Sequence, residues 1–309
     1  MGYLKVTNQF WQSEVCTGFG NRITHWAFAY KLSEYYNFQF TILLDSFHWP
    51  ETTYVDFPHT EIISADSDLY GEFIDIVPNE SVLELDTNKN YYITGDGLTK
   101  ISASEPGSDG KAGIFWLPSA YKLLTLKNSL LELQIKNKVK DAIGVHVRKN
   151  NITSPNTLEE IHKNSEELYG EYEEIDYLSI FSELVKDYDD QLFYISSDIA
   201  TSFCSFNGMS GKELKALFPN YSEFMVTKKI YEKYNCIDYT HICPDFDFSF
   251  PKGVLNDNSA LMPGKATNIL YFKKILRDVI DLFSLMYCKD FISARSTWSD
   301  FVYWYRREL

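Results

Sequence analysis

Apolar and polar positions along the chain change period several times, and the changes mark out its elements. An apolar segment from Tyr3 to Thr7 leads to a turn holding Gly18, Phe19 and Gly20. From Asn21 onward Ile23, Ala27 and Tyr30 recur at helical spacing, and a second apolar run, Phe38 to Asp45, has the length of a strand. Strand, glycine turn, helix, strand is a βαβ opening and predicts a parallel sheet covered by helices. Residues 46–110 are less regular, and Ser102 to Gly113 is the most loop-like stretch of all.

The segment Ser119 to Lys140 has a helical pattern and closes on Lys136, Lys138 and Lys140, cations suited to a helix C-terminus. A domain boundary is placed there, giving domains of 1–140 and 141–309. Beyond it the alternation resumes with a strand at Ala142–Arg148, a helix at Tyr177–Tyr188 and a strand at Gln191–Ser197. A helix at Asn268–Cys288, a strand at Phe291–Ala294 and a helix at Ser299–Arg307 complete it. Stretches 150–174 and 235–264 read as loops. In the long helix Ile269, Phe272, Leu276, Val279, Leu282, Phe283 and Met286 form the inner stripe, with Lys274, Arg277, Asp281 and Ser284 outside. Arg277 and Asp281 have the spacing of a surface ion pair. The architecture expected is α/β, with two Rossmann-like halves facing each other across a cleft.

Composition narrows the function classes. The 309 residues carry 29 Lys and Arg against 43 Asp and Glu, a net charge of −14, so the far field repels nucleic acid. An anionic ligand must then be held locally, by isolated cations and amide groups at strand ends. The 5 cysteines include no C-x-x-C pair, which argues against a zinc site or a disulfide framework and fits a reducing, cytoplasmic setting. No run reaches the length of a transmembrane helix, so no membrane insertion is expected.

Three strand ends have the chemistry of an anion site. In Gly144-Val145-His146-Val147-Arg148 the alternation puts His146 and Arg148 on one face, with Lys149 next to them. A guanidinium there can grip a phosphate through two charge-assisted hydrogen bonds. The second strand end, Leu192 to Asp198, stops in Ser196, Ser197 and Asp198, where the carboxylate could meet a ribose or a base or could cap the next helix. The third, Phe291 to Ala294, runs into Arg295, Ser296 and Thr297, whose hydroxyls and free amides open the last helix. Asp245-Phe246-Asp247 would suit a metal-binding D-x-D, and the many aromatic residues would suit a glycan-binding module.

Taken together these segments resemble the superfamily of α1,2-, α1,6- and O-fucosyltransferases. GFGNRITHWAFAYKL is similar to its glycine-rich opening, GVHVR to its H-x-R strand and FYISSD to the strand that follows. DLFSLMYCKDFISARSTWS, from Asp281 to Ser299, is similar to the C-terminal pattern of the α1,2 group. The resemblance implies a GT-B fold and metal-independent, inverting transfer of fucose from GDP-fucose to a glycan hydroxyl, with no cofactor beyond the donor itself. By the matched motifs Arg148 would hold the β-phosphate and His146 would sit at the sugar–phosphate junction. Asp198 and Asp281 would meet the nucleoside, with Ser197 beside them. Lys149, Arg295, Ser296 and Thr297 would complete the phosphate cradle, and Gly18, Gly20, Asn21 and Arg22 would line the opposite lip. The family commonly reads H-x-R-R-x-D, whereas Lys149 and Asn151 stand here; lysine keeps the charge and loses the planar fork. For the proton-accepting base, Glu159, Glu160 and His146 are the candidates. Another nucleotide sugar, or glycan binding without catalysis, are the alternatives.

Overall fold

The structure, a computed structural model, describes residues 1–6, 19–46, 48–64, 70–76, 85–93, 117–147, 182, 185–188, 190–197, 232–246, 269–292 and 297–306. The chain divides into two compact units, one of residues 1–129, 262–279 and 300–309, the other of residues 130–261 and 280–299.

The first unit is built on a 5-stranded sheet in the order β4-β2-β1-β6-β5. Its strands are β1 (Gly2–Val6), β2 (Phe40–Asp45), β4 (Thr60–Ile63), β5 (Phe73–Ile76) and β6 (Asn90–Ile93), and every pairing is parallel. Helix α1 (Phe19–Tyr35) makes the crossover from β1 to β2 that the sequence predicts. It is buried nearly all round, with Ile23, Trp26, Ala27, Phe28, Ala29 and Leu32 in the core. The helix stops because Asn37 and Phe38 turn into the left-handed region, at φ 52° and 56°. The Phe38 N–H then bonds the Ser33 carbonyl at 2.7 Å, and Ser33 Oγ donates to the Phe40 carbonyl at 2.8 Å. That turn is why β2 begins at Phe40 and not at Phe38.

The sequence predicts one helix over Ser119–Lys140; the structure has three elements there. They are α2 (Pro118–Tyr121), β7 (Thr125–Leu126) and α3 (Ser129–Val139). Leu124 and Leu126 are buried while Thr125 between them is exposed, a period of two that a helix cannot satisfy. β7 instead pairs antiparallel with β3 (Val55–Asp56).

The second unit carries a 4-stranded parallel sheet in the order β10-β9-β8-β11. The strands are β8 (Ala142–Val147), β9 (Leu192–Ser197), β10 (Cys236–Ile237) and β11 (Asp290–Ile292). α4 (Tyr239–Ile242) follows β10, in a stretch the sequence reads as loop, and Asp238 caps it by accepting from the Thr240 N–H at 2.9 Å. The part of α5 (Ile269–Tyr287) from residue 280 onward belongs to this unit and precedes β11, and α6 (Thr297–Arg306), which begins in this unit, follows it. Both units therefore hold the parallel, helix-linked sheet of a Rossmann-like half, as the GT-B class requires of each. The predicted helix over Tyr177–Tyr188 lies mostly outside the described residues.

α5 departs from its predicted amphipathic pattern. Arg277, Asp278, Asp281 and Ser284 are buried along with Val279, Leu282, Phe283 and Met286. The burial is tolerable because the charges are paired. The Arg277 guanidinium donates to Asp278 Oδ1 from Nε at 3.1 Å and from Nη2 at 2.7 Å. Arg277 and Asp281 are therefore not the surface residues that the sequence pattern suggests.

Candidate functional site

In the second unit the chain moves outward from β8 to β9 to β10, then crosses to the other flank of β8 to form β11. The strand order reverses at β8. In open parallel sheets the carboxyl ends at such a reversal diverge and leave a crevice, which is where ligands bind. β8 is the strand that ends in His146 and Val147 and runs on into Arg148.

Two neighbours complete this crest. His146 stands in register with Ser196 of β9, and Val147 with Ser197. On the other flank Ile292 of β11 pairs with Val145, so the chain that continues to Arg295, Ser296 and Thr297 leaves the sheet beside the H-x-R strand. α6 then starts at Thr297, and a helix of its length offers first-turn amides to an anion.

His146 and Ser196 share a face with Gly144 and Tyr194, two residues earlier on each strand. α5 covers that face. A Cβ on Gly144 would lie 3.0 Å from Leu285 Cδ2 and 3.2 Å from Cys288 Sγ, so a side chain there would make those two side chains shift. The Tyr194 hydroxyl donates to Asp281 Oδ1 at 2.6 Å. Burial first, and the Asp281 charge second, raise the Tyr194 phenol well above its usual range. Asp281 thus stands beneath the crest, 3% exposed, and His146 is 5% exposed. On β10 the Cys236 thiol is pushed up to about 12 by burial and by Asp238, so it stays protonated and is no nucleophile.

In the first unit the strand order reverses at β1 in the same manner, with β2 and β4 to one side and β6 and β5 to the other. Gly20, Asn21 and Arg22 lie in the first turn of α1, the next described element along the chain. The Arg22 side chain is buried and forms an ion pair with Glu51, itself in the core, so its charge braces the helix start instead of facing solvent. A second pair was not visible in the sequence: Asp45, the last residue of β2, and His48. Asp45 Oδ2 is 2.9 Å from His48 Nδ1. Their only sequence signal is an i, i+3 spacing at a strand end, which is too common to single out.

Gly18, Arg148, Lys149, Glu159, Glu160, Asp198, Arg295 and Ser296 lie outside the described residues, as does Asp247 of the D-x-D. For Asn21, Ser197 and Thr297 the backbone alone is described.

No protein-family model matches the chain, and no curated protein matches it. Among solved structures, the fucosyltransferase NodZ from Bradyrhizobium is 13% identical, covering 98% of this chain and 92% of its own, with a TM-score of 0.40. So distant a likeness assigns neither donor nor reaction, and the functional reading rests on this chain's own residues.

Proposed function

We propose that the chain is an inverting glycosyltransferase that moves fucose from GDP-fucose to a hydroxyl of a carbohydrate, without a metal. The observation that carries the reading is the place of the H-x-R strand. It is the strand of reversal in a parallel sheet, flanked on one side by the strand that leads to Arg295, Ser296 and Thr297.

In this reading Arg148 holds the β-phosphate, supported by Lys149, Arg295 and the first-turn amides at Ser296 and Thr297. Charge builds on the departing GDP as the glycosidic bond to phosphate breaks. Donors already aimed at that charge lower the barrier, because they need no reorganisation at the moment of reaction. Ser197 and Asp198 at the end of β9 meet the nucleoside. Asp281 contributes from below, by fixing Tyr194 and through it the β8–β9 pair. His146, on the face that α5 covers, orients the strand end near the sugar–phosphate junction. Gly18, Gly20 and Asn21 serve the acceptor side, and Arg22 acts there through Glu51.

A thermal-shift panel of GDP, UDP, CDP and ADP tests the donor class. A raised midpoint with GDP above the other three is the expected result. A preference for UDP would transfer the reading to another nucleotide sugar. No response to any nucleotide, together with binding of free oligosaccharide, would leave a glycan-binding protein.

A further inference from the structure

We infer that His241 is a pH-sensitive switch at the start of α4, its charged ring bound to the Asp238 carboxylate and its neutral ring to the Asp238 backbone N–H. The inference does not depend on the transferase reading, and every group it uses lies in the second unit.

With 4 residues α4 is about one turn long, so its hold depends on how it begins. Asp238 follows directly on β10 and caps the helix, its side chain 1% exposed against 39% for His241. Tyr239 and Ile242 are buried, and Gln134 of α3 donates from Nε2 to the Ile242 carbonyl. At the cap one ring nitrogen meets two different groups. His241 Nδ1 is 3.0 Å from Asp238 Oδ1 and 3.2 Å from the Asp238 backbone nitrogen. It cannot serve both at once: with a proton it donates to the carboxylate, and without one it accepts from the amide.

The choice follows from what Oδ1 already accepts. The Thr240 N–H reaches it at 2.9 Å and the Thr240 hydroxyl at 2.6 Å. Two donors fill the two lone pairs of that oxygen. A third donor adds little when neutral, whereas an imidazolium brings a full positive charge to a buried carboxylate. The neutral ring therefore carries its proton on Nε2 and offers Nδ1 to the amide, which closes the reciprocal capping box of α4.

Among the described residues, the charged groups that act on the ring are Asp238 and, from α3, Lys138. The hydrogen bond to Asp238 comes first in raising the His241 pKa; burial opposes it, the Asp238 charge adds to it and Lys138 works against it. Cys236 and Tyr194, which also feel Asp238, are raised themselves and keep their protons throughout this range. Because the folded-state value is raised, the proton's contribution is full below the ordinary histidine value and is lost as pH rises through the folded one. Above it α4 lacks the His241 charge and opens more readily.

The test is a nitrogen NMR titration of His241 in the full chain, with amide hydrogen exchange at His241 and Cys243. Their N–H groups bond the Asp238 and Tyr239 carbonyls within α4. The expected result is a midpoint above the ordinary histidine value and a neutral ring protonated on Nε2. Exchange, corrected for its intrinsic pH dependence, should rise severalfold through that midpoint. His241→Gln places an amide oxygen where the neutral ring accepts. It should abolish the step and hold exchange at the high-pH level at every pH. A midpoint at or below the ordinary value overturns the inference, as does a neutral ring with its proton on Nδ1. So does a step that persists in His241→Gln. The wild-type tautomer decides the matter independently of the variant.

Discussion

The Tyr194 hydroxyl and the Asp281 carboxylate meet at 2.6 Å beneath the ends of β8 and β9, with Tyr194 wholly enclosed. The bond ties the sheet to α5 directly under His146 and Ser196. Tyr194→Phe removes the donor and leaves a buried carboxylate short of a partner, at a cost of about 1–3 kcal/mol. Urea unfolding of the variant measures it. On the proposed reading, binding of GDP should weaken in the same variant, because the ends of β8 and β9 lose a support beneath them.

Raised phenol pKa values make this protein sensitive to alkali. The Asp290 carboxylate accepts from the Tyr188 hydroxyl at 2.6 Å and, with burial, pushes its pKa from 10.0 to about 12. Tyr194 is raised well above 10.0 as well, by burial first and then by Asp281. Both folded-state values lie above the unfolded one, so their contribution is full below the unfolded value and is lost as pH rises through the folded values. Unfolding midpoints followed from pH 10 to about 12 should fall steeply. Tyr188→Phe should flatten the lower part of that fall.

Much of this was legible in the sequence, and the exceptions have physical causes. Strands β1, β2, β8, β9 and β11 are apolar runs, and α1 and α5 fill the spaces between them, so both βαβ frames could be read. Strands β3 and β7 have 2 residues each and β4, β5 and β6 have 4 each, too few to establish a period. In sequence α5 has an amphipathic pattern because Arg277, Asp281 and Ser284 fall on one stripe; tertiary partners such as Tyr194 let that stripe be buried.

Gly144 sits where α5 comes closest to β8. A side chain there would need the space of Leu285 and Cys288, at 3.0 and 3.2 Å from the new Cβ. Gly144→Val should cost about 1–3 kcal/mol, the usual range for overpacking. Cys288→Ala in the same chain removes the sulfur and should return part of the loss. That coupling, measured by a double-mutant cycle in urea, identifies the contact.

Arg22 and Glu51 form a charge pair inside the first unit, where neither reaches solvent freely. Glu51→Ala takes the carboxylate away from a buried guanidinium, and breaking a buried pair from one side costs about 3–5 kcal/mol. Arg22→Met together with Glu51→Leu should recover most of this, since an apolar pair of similar volume has no charge to desolvate. Thermal midpoints of the three chains decide the matter. If the double variant still binds GDP, the pair serves the fold of the first unit and not the donor.

Arg148 is where charge and geometry can be separated. It follows directly on β8, and on the proposed reading its planar fork grips the β-phosphate through two parallel hydrogen bonds. Arg148→Ala removes both charge and fork and should lower kcat on the order of a hundredfold or more, the loss typical of a donor aimed at developing charge. Arg148→Lys keeps the charge alone. Because a lysine offers a point charge without the paired geometry, it should retain GDP binding better than it retains turnover. Turnover falling further than the GDP-induced thermal shift would mean that the fork acts mainly in the transition state. Equal loss of both would mean that Arg148 only anchors the donor.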